Sequence, residues 1–172
     1  MKRFVALLFT ILLPILICGC NNDHNLPRTT VNFYYKTEPL DHISKNGVFT
    51  VEIRNTRANS DDYQYLLEQY LNGARSADCI SPFPAGTTLK SISINDSSAS
   101  VTLSPHLSML SGSDLTIACI CLARTIFDMT GVQSVQISAQ NNLVNSEPYI
   151  TITTNSFTMN DVVINAPVPI ND

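Results

Sequence analysis

Residues 115–129 read Leu-Thr-Ile-Ala-Cys-Ile-Cys-Leu-Ala-Arg-Thr-Ile-Phe-Asp-Met, a stretch apolar over most of a helix's circumference. A helix of that kind in a globular protein has to be covered on several sides. Ile117, Ile120, Cys121, Ile126 and Phe127 leave little polar surface, so this helix is expected to be the core element. Ser111-Gly112-Ser113-Asp114 opens it, with Ser111 or Ser113 as the cap, and Thr130-Gly131 closes it.

The rest of the chain supplies what must surround that helix. Val31, Phe33 and Tyr35, and then Val48, Val51 and Ile53, mark two strands rich in β-branched and aromatic residues. Asn59-Ser60-Asp61-Asp62 offers capping chemistry for a first helix. Tyr63, Leu66, Leu67, Tyr70 and Leu71 then line one face of it before Gly73 ends it. Leu89, Ile92 and Ile94 alternate with one disturbed step. After the turn at Asp96-Ser97-Ser98, residues 100–104 pair back as a hairpin. Val132, Val135 and Ile137 begin a further strand, and residues 149–152 and 161–164 are weaker strand candidates. The order β-β-α-β-β-α-β predicts an α+β fold, with two helices packed on one mixed or antiparallel sheet.

The first 20 residues carry a different signal. Lys2 and Arg3 precede an apolar run over residues 4–18, interrupted in polarity only by Thr10, and the segment closes on Ile17-Cys18-Gly19-Cys20. Basic, apolar and small-residue regions in that order describe a secretory signal. A membrane-spanning helix needs about 20 apolar residues, and this run is shorter and contains Pro14. The closing tetrapeptide resembles the bacterial lipoprotein box, with Cys18 at a position usually held by Ser, Ala or Thr. The resemblance implies cleavage after Gly19 and a diacylglyceryl thioether on Cys20. Two acyl chains make membrane anchoring stable where one is marginal. The expected organisation is a signal peptide at 1–19, a flexible spacer at 20–30, one domain at 31–165 and an extended tail at 166–172. The expected location is the outer face of the cell membrane.

Removing Lys2 and Arg3 leaves eight of the ten basic residues against fourteen acidic ones, a net charge of −6. That argues against nucleic acid as a partner and against electrostatic adhesion to anionic lipid. Of five cysteines, Cys18 and Cys20 belong to the signal, leaving Cys79, Cys119 and Cys121. Three cannot all pair within one chain. Cys119 and Cys121 point in different directions on a helix, so they read as small buried hydrophobes rather than a metal clamp. A bond from Cys79 to either is left open. The three histidines, His24, His42 and His106, have no partners at metal spacing and read as surface residues. No nucleophile elbow or phosphate loop is present. Asp61-Asp62 is accounted for by its place at a helix start. Arg124 stands four residues before Asp128, the spacing of a helix ion pair, or of an exposed edge for a partner. The sequence therefore names no catalytic residue, no metal ligand and no cofactor.

Several short motifs, in a shared order, resemble the GerMN domain of sporulation and spore germination lipoproteins. Tyr70-Leu71-Asn72-Gly73-Ala74 is similar to the family's Leu-Leu-x-Gly-Pro, with Ala74 in place of Pro. Ser81, Pro84, Gly86 and Thr87 match its Ser-x-x-Pro-x-Gly-Thr. Val101-Thr102-Leu103-Ser104 resembles Val-Asp-Leu-Ser, with Thr102 in place of the acid. Thr125-Ile126, Gly131-Val132 and Val135-Gln136-Ile137 complete the pattern. The resemblance covers about residues 33–140 and implies a fold like the ring-building motifs of secretion-type assemblies. The family's sporulation member is linked to the channel between mother cell and forespore and carries two such domains, where this chain has one. The expected function is a membrane-anchored, non-enzymatic interaction or scaffold module of sporulation or germination, with a protein partner or self-association. A ligand- or peptidoglycan-binding envelope lipoprotein is the alternative.

Overall fold

The computed structural model describes residues 28–37 and 48–156. The signal and Cys20, His24 and His42, and the strand candidate at 161–164 lie outside the described residues. The elements run β1 (Arg28–Thr37), β2 (Phe49–Arg57), α1 (Tyr63–Leu71), β3 (Cys79–Ile80), β4 (Leu89–Asn95) and β5 (Ser98–Leu103). A 3-10 turn (Pro105–Met109), α2 (Gly112–Thr130), β6 (Ser134–Ala139) and β7 (Ile150–Thr153) follow. The α+β class and the order of the main elements agree with the sequence reading. The two-residue strand β3 was not anticipated. β1 also begins at Arg28, inside the expected spacer, because Arg28, Thr29 and Thr30 pair with Arg57, Thr56 and Asn55.

The strands form two sheets instead of one. The first has the order β2-β1-β3 and is antiparallel throughout. The second has the order β4-β5-β6-β7, with β5 and β6 parallel and the outer pairs antiparallel. The reason is visible at the open edge of β1. There the Tyr34 amide donates to Thr125 Oγ1 of α2 at 3.1 Å, and the Tyr34 carbonyl accepts from Tyr70 Oη of α1 at 2.8 Å. Side chains from both helices occupy the backbone groups that another strand would need.

Alternation along β1 explains how one strand serves two helices. Phe33 and Tyr35 lie against Tyr70 of α1, with ring centroids 5.5 and 4.9 Å apart. Tyr34 faces the other way, into a small cluster with Val51 of β2 and Cys121 of α2. The rest of α2 (Ala118, Cys119, Leu122, Ala123, Ile126) joins the main core with Val101, Leu103, Val135 and Ile137 of the second sheet. Helix α2 is therefore covered on two sides by different sheets, as its apolar circumference requires. Ile120 is a correction: it is only partly buried, while Leu122 and Ile126 are fully so. Gly131, with φ +74°, takes the left-handed C-cap position, and its amide donates to Phe127 at 2.8 Å.

Candidate functional site

The main polar constellation in the interior lies on β2. Glu52 and Arg54, two residues apart, project to the same face of the strand, and both are essentially inaccessible to solvent. They form a buried ion pair in which Arg54 Nε and Nη2 donate to Glu52 Oε1, the Nε bond at 2.8 Å. Sequence reasoning missed it, because Glu52 and Arg54 alternate with the apolar Val51 and Ile53, so the charged face of the strand Phe49–Arg57 reads as the solvent face. The available signal was the alternation: Glu52 and Arg54 pair with Phe33 and Val31, both core residues.

Each charge has a further task. Arg54 Nη1 donates to the Gln69 carbonyl at 2.9 Å and Nη2 to the Gly73 carbonyl at 3.1 Å, while Tyr35 Oη donates to the Tyr70 carbonyl at 2.9 Å. These are carbonyls of the last turn of α1 and just beyond it, which lack partners within the helix. A cation there also complements the negative end of the helix dipole. The Arg54 guanidinium lies over the Phe33 ring, 4.7 Å from its centroid. Glu52 Oε2 accepts from the amides of Arg75 and Ser76 at 2.7 and 2.8 Å, fixing the chain that leaves the helix. Gly73, with φ +102°, makes the turn between the two tasks. Every polar arm of this pair is engaged, either with its partner or with the protein's own backbone.

The other motif positions are likewise structural. Thr87 donates from Oγ1 to the Pro84 carbonyl at 2.8 Å, and its amide meets the same carbonyl at 3.1 Å, closing the Pro84–Gly86 turn on itself. Ser104 is buried, accepts from the Thr88 amide at 3.0 Å and stands 3.1 Å from Nδ1 of exposed His106. This Ser-His pair holds one loop to another, with a hydroxyl sequestered from solvent.

Arg124 and Asp128 converge on Tyr34 from two sides. Tyr34 Oη donates to Asp128 Oδ2 at 2.6 Å, and the Arg124 guanidinium lies 5.5 Å from the Tyr34 ring centroid. Burial and the Asp128 carboxylate push the Tyr34 hydroxyl up to about 12. Asp62 caps α1, its carboxylate accepting from the Tyr65 amide at 3.2 Å. Cys79, Cys119 and Cys121 are all free and buried, so Cys79 pairs with neither. Burial raises all three thiols, Cys79 to about 11 and Cys119 to about 12. Among the described residues no group of His, Cys, Asp and Glu could hold a metal ion, and no helix is long and apolar enough to cross a membrane. Two shallow clefts are present, one of about 130 Å³ beside Asn32 and Asp128 and one of about 270 Å³ beside Glu68 and Thr87.

Two sheets and two helices, with the buried charges spent on the domain's own backbone, define a compact α+β module built around its helix ends. The chain belongs to the Germane family of sporulation and spore germination, whose model matches residues 32–144. Among solved structures it is similar to the tandem GerMN domains of the sporulation protein GerM from Bacillus subtilis. That likeness has a TM-score of 0.55 and 14% identity, over 81% of this chain and 49% of that one. The chain thus spans about half of the tandem protein. The first GerMN domain of GerM by itself gives a TM-score of 0.54 at 15% identity, over 70% of this chain and 91% of that one. A lipoprotein from Clostridium perfringens is similar with a TM-score of 0.47 and 16% identity, over 76% and 90% of the two chains. No curated protein matches. The GerMN resemblance of residues 33–140 therefore stands, and so does the expected α+β class with its two helices.

Proposed function

We propose that this chain is a lipid-anchored extracytoplasmic module of an endospore former, acting in sporulation or germination through protein contacts and not through catalysis. The family match over residues 32–144 carries the proposal, and that family is described by a cellular process and not by a reaction. The lipoprotein-box resemblance at Ile17-Cys18-Gly19-Cys20 supports the anchor, with Cys20 as the lipidated residue. The engaged state of Glu52, Arg54 and Ser104 supports a non-enzymatic role, since none offers a free polar group to a substrate.

Two measurements test this reading. Cys20→Ala is expected to block signal processing and to abolish labelling by radioactive fatty acid; undiminished labelling would remove the anchor. Deleting the gene is expected to lower spore yield or germination, and His106→Ala or Asp61→Ala to leave both unchanged. Normal sporulation and germination in the deletion strain would refute the process assignment. Hydrolysis of a cell-wall substrate by the purified domain, lost in one of those variants, would refute the non-enzymatic one.

A further inference from the structure

Strand β4 is an edge of the second sheet, and α1 packs against it. The turn Asp96-Ser97 makes Asn95 and Ser98 the hydrogen-bonded pair that closes the β4–β5 hairpin. By alternation, Ile92 and Ile94 turn their amide and carbonyl groups away from β5. No described strand pairs with them on that side. Their side chains pack against the main core and keep partial exposure. Ser91, Ser93 and Asn95 alternate with them on the outer face and are exposed.

The cleft of about 270 Å³ opens at the start of this edge. Glu68, Leu71 and Asn72 at the end of α1 form one wall, and Thr87, Thr88 and Leu89 form the other. Its charge is of one sign. Glu68 is exposed, its Oε1 accepts from Gln64 Nε2 at 3.1 Å, and its Oε2 has no partner among the described residues. The carbonyls of Glu68, Gln69 and Tyr70 are taken by the Asn72 amide, Arg54 and Tyr35. Those of Leu71 and Asn72 have no partner among the described residues, and they form the negative end of the α1 dipole. Lys90 lies at the register shift beside Leu89, and Arg75 follows the helix. Among the described residues neither forms an ion pair with Glu68.

We propose that this cleft takes an extended segment of a partner protein, added as a strand beyond β4, with a Lys or Arg side chain against Glu68. Ile92 and Ile94 supply the main-chain donors and acceptors from which strand addition draws its affinity. Partner side chains turned toward the helix meet Leu71, Leu89 and Ile92, and so are apolar. Those turned outward lie beside Ser91, Ser93 and Asn95, and so are small and polar. One basic side chain at the cleft answers both the Glu68 carboxylate and the open carbonyls of α1. Residues 157–172 of this chain contain no Lys or Arg and do not match that charge. The choice of a protein segment as occupant rests on the protein-contact reading above, and it needs neither the anchor nor the process.

The test uses the purified full-length chain in detergent and a synthetic peptide that alternates valine and threonine, with lysine replacing the central valine. Binding is expected to shift the amide resonances of Ile92 and Ile94 and to slow their hydrogen exchange. A peptide with glutamate at the centre, or one N-methylated on every second amide, should bind at least about tenfold more weakly. Glu68→Gln should weaken the lysine peptide about threefold, the size of an exposed ion pair, and high salt should erase that difference. Asp61→Asn, the same charge change at the other end of α1, should leave the affinity unchanged. Glu68 is exposed, so an unchanged thermal melt of Glu68→Gln is expected to accompany its loss of affinity. No binding, binding indifferent to the central charge and to Glu68→Gln, or shifts confined to another strand edge would overturn the proposal. The readings fail separately. A peptide-binding chain that also hydrolyses a cell-wall substrate rejects the non-enzymatic reading and keeps the groove. A deletion defect in sporulation with no peptide binding rejects the groove alone.

Discussion

Glu52 and Arg54 sit on a strand face that belongs to the core, and neither has solvent to fall back on. Taking two charges out of water costs several kcal/mol per ion, and the cost is offset only where all their hydrogen bonds are made. Here the carboxylate reaches the amides of Arg75 and Ser76 while the guanidinium reaches the carbonyls of Gln69 and Gly73. Glu52→Gln is expected to destabilise the domain by about 3–5 kcal/mol, because it leaves Arg54 buried without its counter-charge. Chemical denaturation with a two-state fit measures this, and a shift under 1 kcal/mol would contradict the clamp. The cysteines make a second residue-scale test. With thiols raised to about 11 at Cys79 and about 12 at Cys119, and higher at Cys121, little thiolate exists at pH 8. A thiol reagent at that pH is expected to leave all three unlabelled in the folded protein and to label them once denaturant unfolds it.

Among the elements, α2 separates what periodicity states from what packing decides. The sequence marks the segment as apolar nearly all round without ranking its faces. Packing between two sheets ranks them: Leu122 and Ile126 are sealed, and Ile120 keeps partial access to solvent. Leu122→Asp is expected to abolish the cooperative thermal transition, since a buried unpaired charge takes much of a stability of about 5–15 kcal/mol. Ile120→Asp is expected to retain a cooperative melt at a lower midpoint. Equal effects from the two variants would show that the faces are not distinct. Thr125 tests the closed edge of β1. Thr125→Val keeps the shape but removes the acceptor for the Tyr34 amide, and it is expected to cost about 1–3 kcal/mol. An unchanged melting curve would mean that the amide has found another partner.

For the molecule as a whole, the same burial sets its limit in alkali. Tyr34 is raised to about 12, and Tyr35 and Tyr70 are raised further by desolvation in the interior. In the unfolded chain a tyrosine loses its proton near pH 10. Between that pH and its folded value the native state holds the proton that the unfolded state has released. The neutral form's contribution to stability is therefore complete below about pH 10 and is lost as the pH climbs toward 12 and beyond. The buried thiols act in the same direction from a lower starting point, near pH 8.5 in the unfolded chain. Stability should decline through this alkaline range, with tyrosinate absorbance appearing together with loss of ellipticity. Titration of Tyr34 and Tyr70 near pH 10 in a domain that stays folded would contradict the burial described here.

Local chemistry wrote the elements into the sequence. Asp62 and Gly73 bound α1, Gly131 ends α2, the β4–β5 hairpin turns between Asn95 and Ser98, and the disturbed step in β4 is the register shift between Leu89 and Ser91. Those signals depend on neighbours a few residues apart, and so they can be read in order along a chain. The family motifs were legible for the same reason: Gly73, Pro84, Gly86 and Thr87 shape tight turns whose geometry is local. The division into two sheets was not legible, because it depends on Thr125 and Tyr70 reaching the same residue of β1 from 91 and 36 positions away. Nor was the Glu52–Arg54 clamp, since two charges on a strand look solvated until the opposing face is known to be core. Only the tertiary structure decides which edge is closed and which charge is buried, for both follow from contacts between segments that the sequence holds far apart.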